Sequence, residues 1–102
     1  MATSYDKQVL SLKDSLEYKK EAIVEKTVIK NKLTGYAFDR GQSVLPSIDS
    51  INMTLLVLEG RAEVMVAGKN YDVEEGQKIF LPKEHIHALF AKTKLKFALI
   101  ND

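Results

Sequence analysis

The residues best suited to chemistry are the two histidines, His85 and His87, which are separated by a single residue. Imidazole titrates near neutral pH and is a common metal ligand, so this pair could serve in acid–base chemistry or in metal binding. Residues two apart on a β-strand point to the same face. His85, however, follows Pro82 in a loop-forming run, so strand geometry does not determine its direction. His87 is therefore the primary candidate.

Composition argues against several other functions. The absence of cysteine excludes disulfides and thiolate metal sites. Fifteen Lys and Arg residues against 14 Asp and Glu residues give a net charge of +1, without the basic excess of a nucleic-acid-binding surface. No apolar run approaches the length of a membrane span, and residues 1–7 lack the apolar segment of a signal peptide. We expect a cytoplasmic protein that binds neither nucleic acid nor membrane.

Short runs with β-strand character must position His87. One domain is expected over residues 21–102, because a chain of 102 residues builds a single core. Strands are predicted at residues 21–30, 33–38, 43–45, 53–59, 61–66, 71–73, 78–81, 86–91 and 95–100. Turn signals between nine short strands are typical of an antiparallel β-sandwich or barrel.

Pro46 limits the third of these strands. Because proline cannot donate a hydrogen bond to a sheet, the segment is predicted to be an edge strand or to end at Pro46. Residues 47–52 are predicted to be irregular.

Residues 1–20 are predicted to form an arm with a short helical turn. Ser11 can cap this turn, since an acidic residue, Asp14, lies three positions later. Leu12 and Leu16 are one turn apart. A helix this short is unstable alone, so it must dock on another part of the protein.

The strand over residues 53–59 has two apolar faces. Met53, Leu55 and Val57 share one face, whereas Leu56 and Leu58 lie on the other. Only one face of a barrel strand meets the interior, so the outer leucines are expected to pack against a partner subunit or the N-terminal arm. Because a single small core gives modest stability, we expect a homodimer.

The spacing of turn residues resembles the cupin family. In that family, two motifs place glycines, a proline and a histidine at set intervals, and Gly41, Gly60, Gly76, Pro82 and His87 fall in register with them. The resemblance covers residues 41–91. It implies a double-stranded β-helix, or jelly roll.

The metal ligands of the family are mostly replaced in this chain. The two histidines and the glutamate of the first motif correspond to Ser47, Asp49 and Met53, and His87 alone matches its ligand. A hydroxyl and a thioether are poor ligands for most metals of such sites, and two remaining donors make a weak site. The expectation is therefore no metal and no cofactor, with Met53 filling the space of the ion.

The resemblance leaves two leading functions open. In the first, Met53, Leu55, Val57 and Phe97 face inward, with Ser47, Asp49 and His87 at the mouth, and the barrel binds a small molecule. The interior could instead be filled by side chains. The second function is a metal-independent isomerase, epimerase or lyase in which His87 and Asp49 form an acid–base pair. A residual metal-dependent oxygenase is a third, weaker hypothesis.

Overall fold

Nine antiparallel strands form two sheets in the computed structural model, which describes residues 11–102. The strands are β1 (Ile23–Ile29), β2 (Leu33–Phe38), β3 (Ser43–Ile48), β4 (Met53–Glu59), β5 (Arg61–Val66), β6 (Lys69–Glu74), β7 (Lys78–Leu81), β8 (Ile86–Ala91) and β9 (Leu95–Asn101). One sheet has the order β1-β2-β9-β4-β7 and the other β3-β8-β5-β6. The all-β, double-stranded β-helix fold is thereby confirmed.

The third strand is longer than predicted, because it continues through Pro46. The strand β3 is an edge strand, as expected, but its pairing with β8 shifts between Val44 and Ser47. This bulge leaves Leu45 and Pro46 outside the paired positions, so the missing N–H of proline costs no ladder hydrogen bond. The prediction that residues 47–52 are irregular was therefore wrong for Ser47 and Ile48.

The hairpin between β5 and β6 is also tighter than predicted. Ala67 and Gly68 form the whole turn, both with positive φ, of 51° and 84°. Two such residues match the right-handed twist of the flanking strands. Lys69 and Asn70, which were predicted to lie in the turn, therefore begin β6, and the predicted strand at residues 71–73 was too short.

The predicted helical turn is present as α1 (Leu12–Ser15), and it ends at Ser15 rather than near residues 18–20, where the sequence predicted its end. The backbone N–H of Asp14 donates to Ser11 Oγ at 3.2 Å, which confirms Ser11 as the cap. Residues 1–10, the rest of the predicted arm, lie outside the described residues. No helix within residues 11–102 is long and apolar enough to cross a membrane.

The helical turn docks on the outer face of the five-stranded sheet. A Cβ atom on Gly35 would lie 3.1 Å from a methyl group of Leu16, so the glycine permits this close approach. Leu16 is 2% exposed. The Tyr18 hydroxyl donates to Glu59 and the Lys96 ammonium donates to the carbonyl of Lys13, so polar contacts hold the segment as well.

Beyond this segment, a row of largely apolar side chains crosses the outer face of the same sheet. Cross-strand pairing aligns five residues, namely Ile29, Leu33, Ile100, Thr54 and Phe80. Phe80 and Ile29 are each 54% exposed, and Ile100 is 40% exposed. The neighbouring row contains Leu56, which pairs with Ala98. Leu58 has no cross-strand partner on β9, because the β4–β9 register shifts between Val57 and Glu59.

The core lies between the two sheets. Buried side chains alternate along the inner strands, as the period of two requires. The fully buried set from the two sheets includes Phe38, Leu55, Val57, Val64, Leu95 and Phe97. These side chains fill one part of the interior, and the remainder is the candidate site.

Candidate functional site

A cavity of about 380 Å³ lies between the inner faces of the two sheets. Its lining is mostly apolar, with six polar side chains. The polar residues are Thr34, Tyr36, Ser47, Asp49, His87 and Asn101, and the apolar ones are Phe38, Val44, Ile51, Met53, Leu55, Val64, Leu81, Ala88, Leu89, Phe97 and Leu99. The interior of this barrel is therefore incompletely filled by its own side chains.

The six residues that the sequence assigned to the binding site all line this cavity, whereas Val57, which was also expected to face inward, is buried in the core and does not line it. Ser47 comes from β3 and His87 from β8, where the two residues are cross-strand partners. Asp49 directly follows β3. Three apolar residues complete the set: Met53, Leu55 and Phe97, on β4 and β9. The fold thus brings together residues that are up to 50 positions apart in the chain.

His87 and Asp49 are in close contact. Nε2 of His87 lies 2.9 Å from Oδ2 of Asp49, and the two side chains are 13% and 46% exposed. Despite this short distance, Nε2 is buried and makes no hydrogen bond of acceptable geometry among residues 11–102. Such buried, unpaired polar atoms are rare in folded proteins and call for a functional or strain-based explanation.

The backbone around Asp49 positions its carboxylate. The N–H of Glu84, in the loop before β8, donates to the Asp49 carbonyl at 2.8 Å. This bond ties the segment that carries Asp49 to the segment that leads into His87. The backbone therefore holds the two segments that carry Asp49 and His87 near each other.

Tyr36 is a site residue that motif matching missed. Its ring stacks on Phe97, with centroids 4.9 Å apart and planes at 16°, and it meets Phe38 edge-on at 6.1 Å. The signal was present in the sequence: Tyr36 and Phe38 are two residues apart on a predicted strand, so they share a face. The three rings form an aromatic wall of the cavity, defined here by Tyr36, Phe38 and Phe97.

The Tyr36 hydroxyl lies in a negative environment. It donates to Oε1 of Glu25, on β1, at 3.2 Å. Burial, the charge and hydrogen bond of Glu25, and the charge of Asp49 together raise the pKa of Tyr36 to about 12. The phenol is therefore a hydrogen-bond donor at any physiological pH, and two carboxylates act on it.

His85 takes no part in the cavity. The residue is exposed, and its Nδ1 lies 2.9 Å from the carbonyl of Lys83 within its own loop. The suggestion that His85 assists His87 gains no support from this geometry, because the His85 ring is engaged locally.

The side chains at the four family ligand positions do not suit a transition metal. His87 and Asp49 are in contact, but the other two donors are the hydroxyl of Ser47 and the thioether of Met53. Within residues 11–102, no three His, Cys, Asp or Glu side chains group closely enough to hold an ion. A catalytic zinc or iron site uses three protein ligands of those types. The donor set therefore does not fit the metal that the fold family implies.

Two other concavities are less suited to a small ligand. A groove of about 640 Å³ lies between β6 and β7, and a smaller one of about 210 Å³ lies beside β3 and β8. Both are more open to solvent than the central cavity. We favour the smaller central cavity over the 640 Å³ groove, because enclosure allows a ligand to bury most of its surface.

Solved structures resemble this fold closely. A conserved protein of unknown function from Streptococcus pyogenes is 26% identical, with a TM-score of 0.85 over 92% of this chain and 85% of that one. A cupin superfamily protein from Desulfitobacterium hafniense is 20% identical, with a TM-score of 0.83 over 90% and 87%. A cupin 2 conserved barrel domain protein from Leptotrichia buccalis is 32% identical, with a TM-score of 0.80 over 87% of this chain and 45% of that one.

Comparisons of sequence alone find no relative. No protein-family model matches the chain, and no curated protein matches it. The likeness found is therefore the likeness to solved structures.

Proposed function

The chain belongs to the cupin superfamily, and we propose that it binds a small molecule in the cavity between its sheets, without a transition metal. The observation that carries this proposal is the cavity of about 380 Å³ lined by all six residues expected to bind the ligand. Small-molecule sites commonly have volumes of about 300–1,000 Å³ and mostly apolar linings with a few polar groups.

The arrangement of polar groups favours a pocket that recognises particular ligands over one that binds any apolar molecule. Ser47, Asp49 and His87 come from β3, the residue after it and β8, and they neighbour one another. The aromatic wall supplies flat apolar surface in the same cavity. A ligand with an apolar body and one polar end would match this lining.

A substitution that fills the cavity tests the proposal. Leu99 lines the cavity and is half-buried, so Leu99→Trp should insert an indole into the space without removing a polar group. The matched control is Ile86→Trp, because Ile86 is 42% exposed and does not line the cavity. A fragment library is screened by thermal shift against all three proteins.

We expect hits that stabilise the parent protein and Ile86→Trp but not Leu99→Trp. Hits that stabilise Leu99→Trp equally would place binding elsewhere and overturn the proposal. If no hit stabilises the parent protein, the binding function itself is wrong.

A second candidate is a metal-independent isomerase, epimerase or lyase. The contact of His87 Nε2 with Asp49 favours it, because a carboxylate beside an imidazole can orient a general base. Tyr36 adds a protonated hydroxyl on the wall of the same cavity. Its raised pKa makes this phenol a weaker acid than free tyrosine, which ranks catalysis below binding.

A further inference from the structure

The charges around the cavity are of one sign. Asp49 lines the cavity, and Glu25 accepts the hydrogen bond of Tyr36. None of the lysines or arginines within residues 11–102 lines the cavity. The net charge of the whole chain is only +1. The one-sided distribution of charge therefore belongs to the site rather than to the whole chain.

The carboxylate of Asp49 has capacity for a ligand. Its Oδ2 contacts His87, whereas its Oδ1 makes no hydrogen bond within the part of the chain that the structure describes. The side chain is 46% exposed, which places it where a polar head group can reach it. An ionised carboxylate accepts several hydrogen bonds and is strongest with charged donors.

The pKa of Tyr36 reflects the electrostatic potential on the wall of the cavity. Its pKa is raised chiefly by burial, but also by the negative charges of Glu25 and Asp49. Burial disfavours a charge of either sign, whereas the negative charges of Glu25 and Asp49 disfavour a phenolate and favour a cation at the same position. An anionic head group would instead have to bury its charge beside Asp49 with no lysine or arginine lining the cavity to compensate, and with His87 already in contact with Asp49.

From this geometry we infer that the ligand is an organic amine, with an apolar body against the aromatic wall and one protonated nitrogen bound by Asp49. The inference rests on the proposed binding function and narrows the class of ligand. Asp49 supplies the ion pair, while Tyr36, Phe38 and Phe97 supply apolar contact and an electron-rich surface that tolerates a nearby cation.

Three probes that share one ring test the charge preference. They are 2-phenylethylamine, 2-phenylethanol and phenylacetate, which carry a cationic, a neutral and an anionic head group. Each is titrated at pH 8, where the amine is still protonated, and binding is followed through the methyl NMR signal of Met53, which lines the cavity. The amine should bind about tenfold more tightly than the alcohol, and phenylacetate most weakly.

Variants identify the group responsible. Asp49→Asn keeps the shape and removes the charge, so it should weaken amine binding about tenfold and leave the alcohol unchanged. Glu25→Gln should cause a smaller loss, because Glu25 acts from beyond Tyr36. The control, Glu75→Gln, removes one negative charge from an exposed turn outside the cavity lining and should change nothing.

The outcomes distinguish a failure of the amine assignment from a failure of the binding function. If the alcohol or phenylacetate binds as tightly as the amine, or if Asp49→Asn leaves amine binding intact, the cavity binds small molecules but the amine assignment is wrong. If none of the three probes perturbs the Met53 signal, while the fragments also fail against the parent protein, the binding function is wrong and the amine assignment is wrong with it.

Discussion

Ser47 and His87 are direct cross-strand partners between β3 and β8, on the side of the sheet that faces the cavity. Side chains so paired have Cβ atoms about 4.5–5.5 Å apart. A histidine at position 47 would therefore place a second imidazole beside the first, next to Asp49. Ser47 itself offers only a hydroxyl at this position.

Restoring the donors should restore metal binding. The double variant Ser47→His/Met53→Glu would present four suitable side chains, with Asp49 and His87, and should take up close to one equivalent of a divalent ion. The parent protein, purified without a metal-affinity step and incubated with iron, manganese, nickel or zinc, should remain far below one equivalent by elemental analysis. The control is Ser43→His, on the same strand but opposite Phe90. Near-stoichiometric metal in the parent protein would contradict the proposed metal independence.

His87→Ala should distinguish a binding protein from an enzyme. A binder should keep ligand-induced thermal shifts, because most of the contact surface is apolar and remains in place. In an enzyme the same change should abolish turnover while binding persists, since a general base typically contributes about 10²–10⁴-fold to the rate. His85→Ala is the matched control, as His85 is exposed and engaged within its own loop. Loss of all binding in His87→Ala would contradict both expectations.

Gly60 should be far less replaceable than Gly41. Both glycines have positive φ, 84° and 87°, which costs a residue with a side chain about 1–2 kcal/mol. A Cβ on Gly60 would in addition lie 2.0 Å from the carbonyl oxygen of Lys94, whereas nothing lies within 4 Å of one on Gly41. Gly60→Ala should therefore lower the free energy of unfolding by about 3 kcal/mol or more, and Gly41→Ala by about 1–2 kcal/mol. Urea unfolding measures both, and equal losses would contradict this account.

Tyr36 should contribute to stability below pH 10 and lose that contribution as the pH rises towards 12. In the unfolded chain a phenol titrates near pH 10, whereas burial, Glu25 and Asp49 raise the pKa of Tyr36 to about 12 in the folded protein. Folding thus favours the protonated form, and stability falls between these two values.

Unfolding measured from pH 8 to 12 should show a shallower decline in Tyr36→Phe than in the parent protein. Glu25→Gln should lower the pKa of Tyr36, as followed by phenolate absorbance. Tyr18→Phe provides a comparison, because burial and Glu59 raise the pKa of that phenol as well. An unchanged slope in Tyr36→Phe would show that the hydroxyl is not in the environment described.

The predicted homodimer would form through the outer face of the five-stranded sheet, which carries Leu56 and the exposed row that contains Ile100. Leu56→Lys, or Ile100→Lys in the adjacent exposed row, should give monomers by light scattering, because each inserts a charge into an apolar surface. Tyr71→Lys is a control of similar exposure on the other sheet, at 45%. If the parent protein is a dimer and Leu56→Lys remains one, the interface lies elsewhere. A monomeric parent protein would make the dimer prediction wrong.

Strand positions were largely predictable from local rules. Alternating apolar residues located β4, β5, β7, β8 and β9, and turn residues located most of the connections. Within the sheets, the main errors occurred at Pro46 and at the Ala67–Gly68 turn. A bulge and a two-residue turn depend on the partner strand, and that partner is not visible in the local sequence.

The amino-acid sequence by itself determined the all-β architecture and the helical cap at Ser11, because these depend on residue type and short-range spacing. Only the tertiary structure decided that a cavity remains between the sheets and that Tyr36 and Glu25 belong to its surroundings. Cavity volume is the small difference between the space enclosed by two sheets and the side chains that fill it. That difference is set by sheet separation and cross-strand register, which no local pattern in the chain encodes.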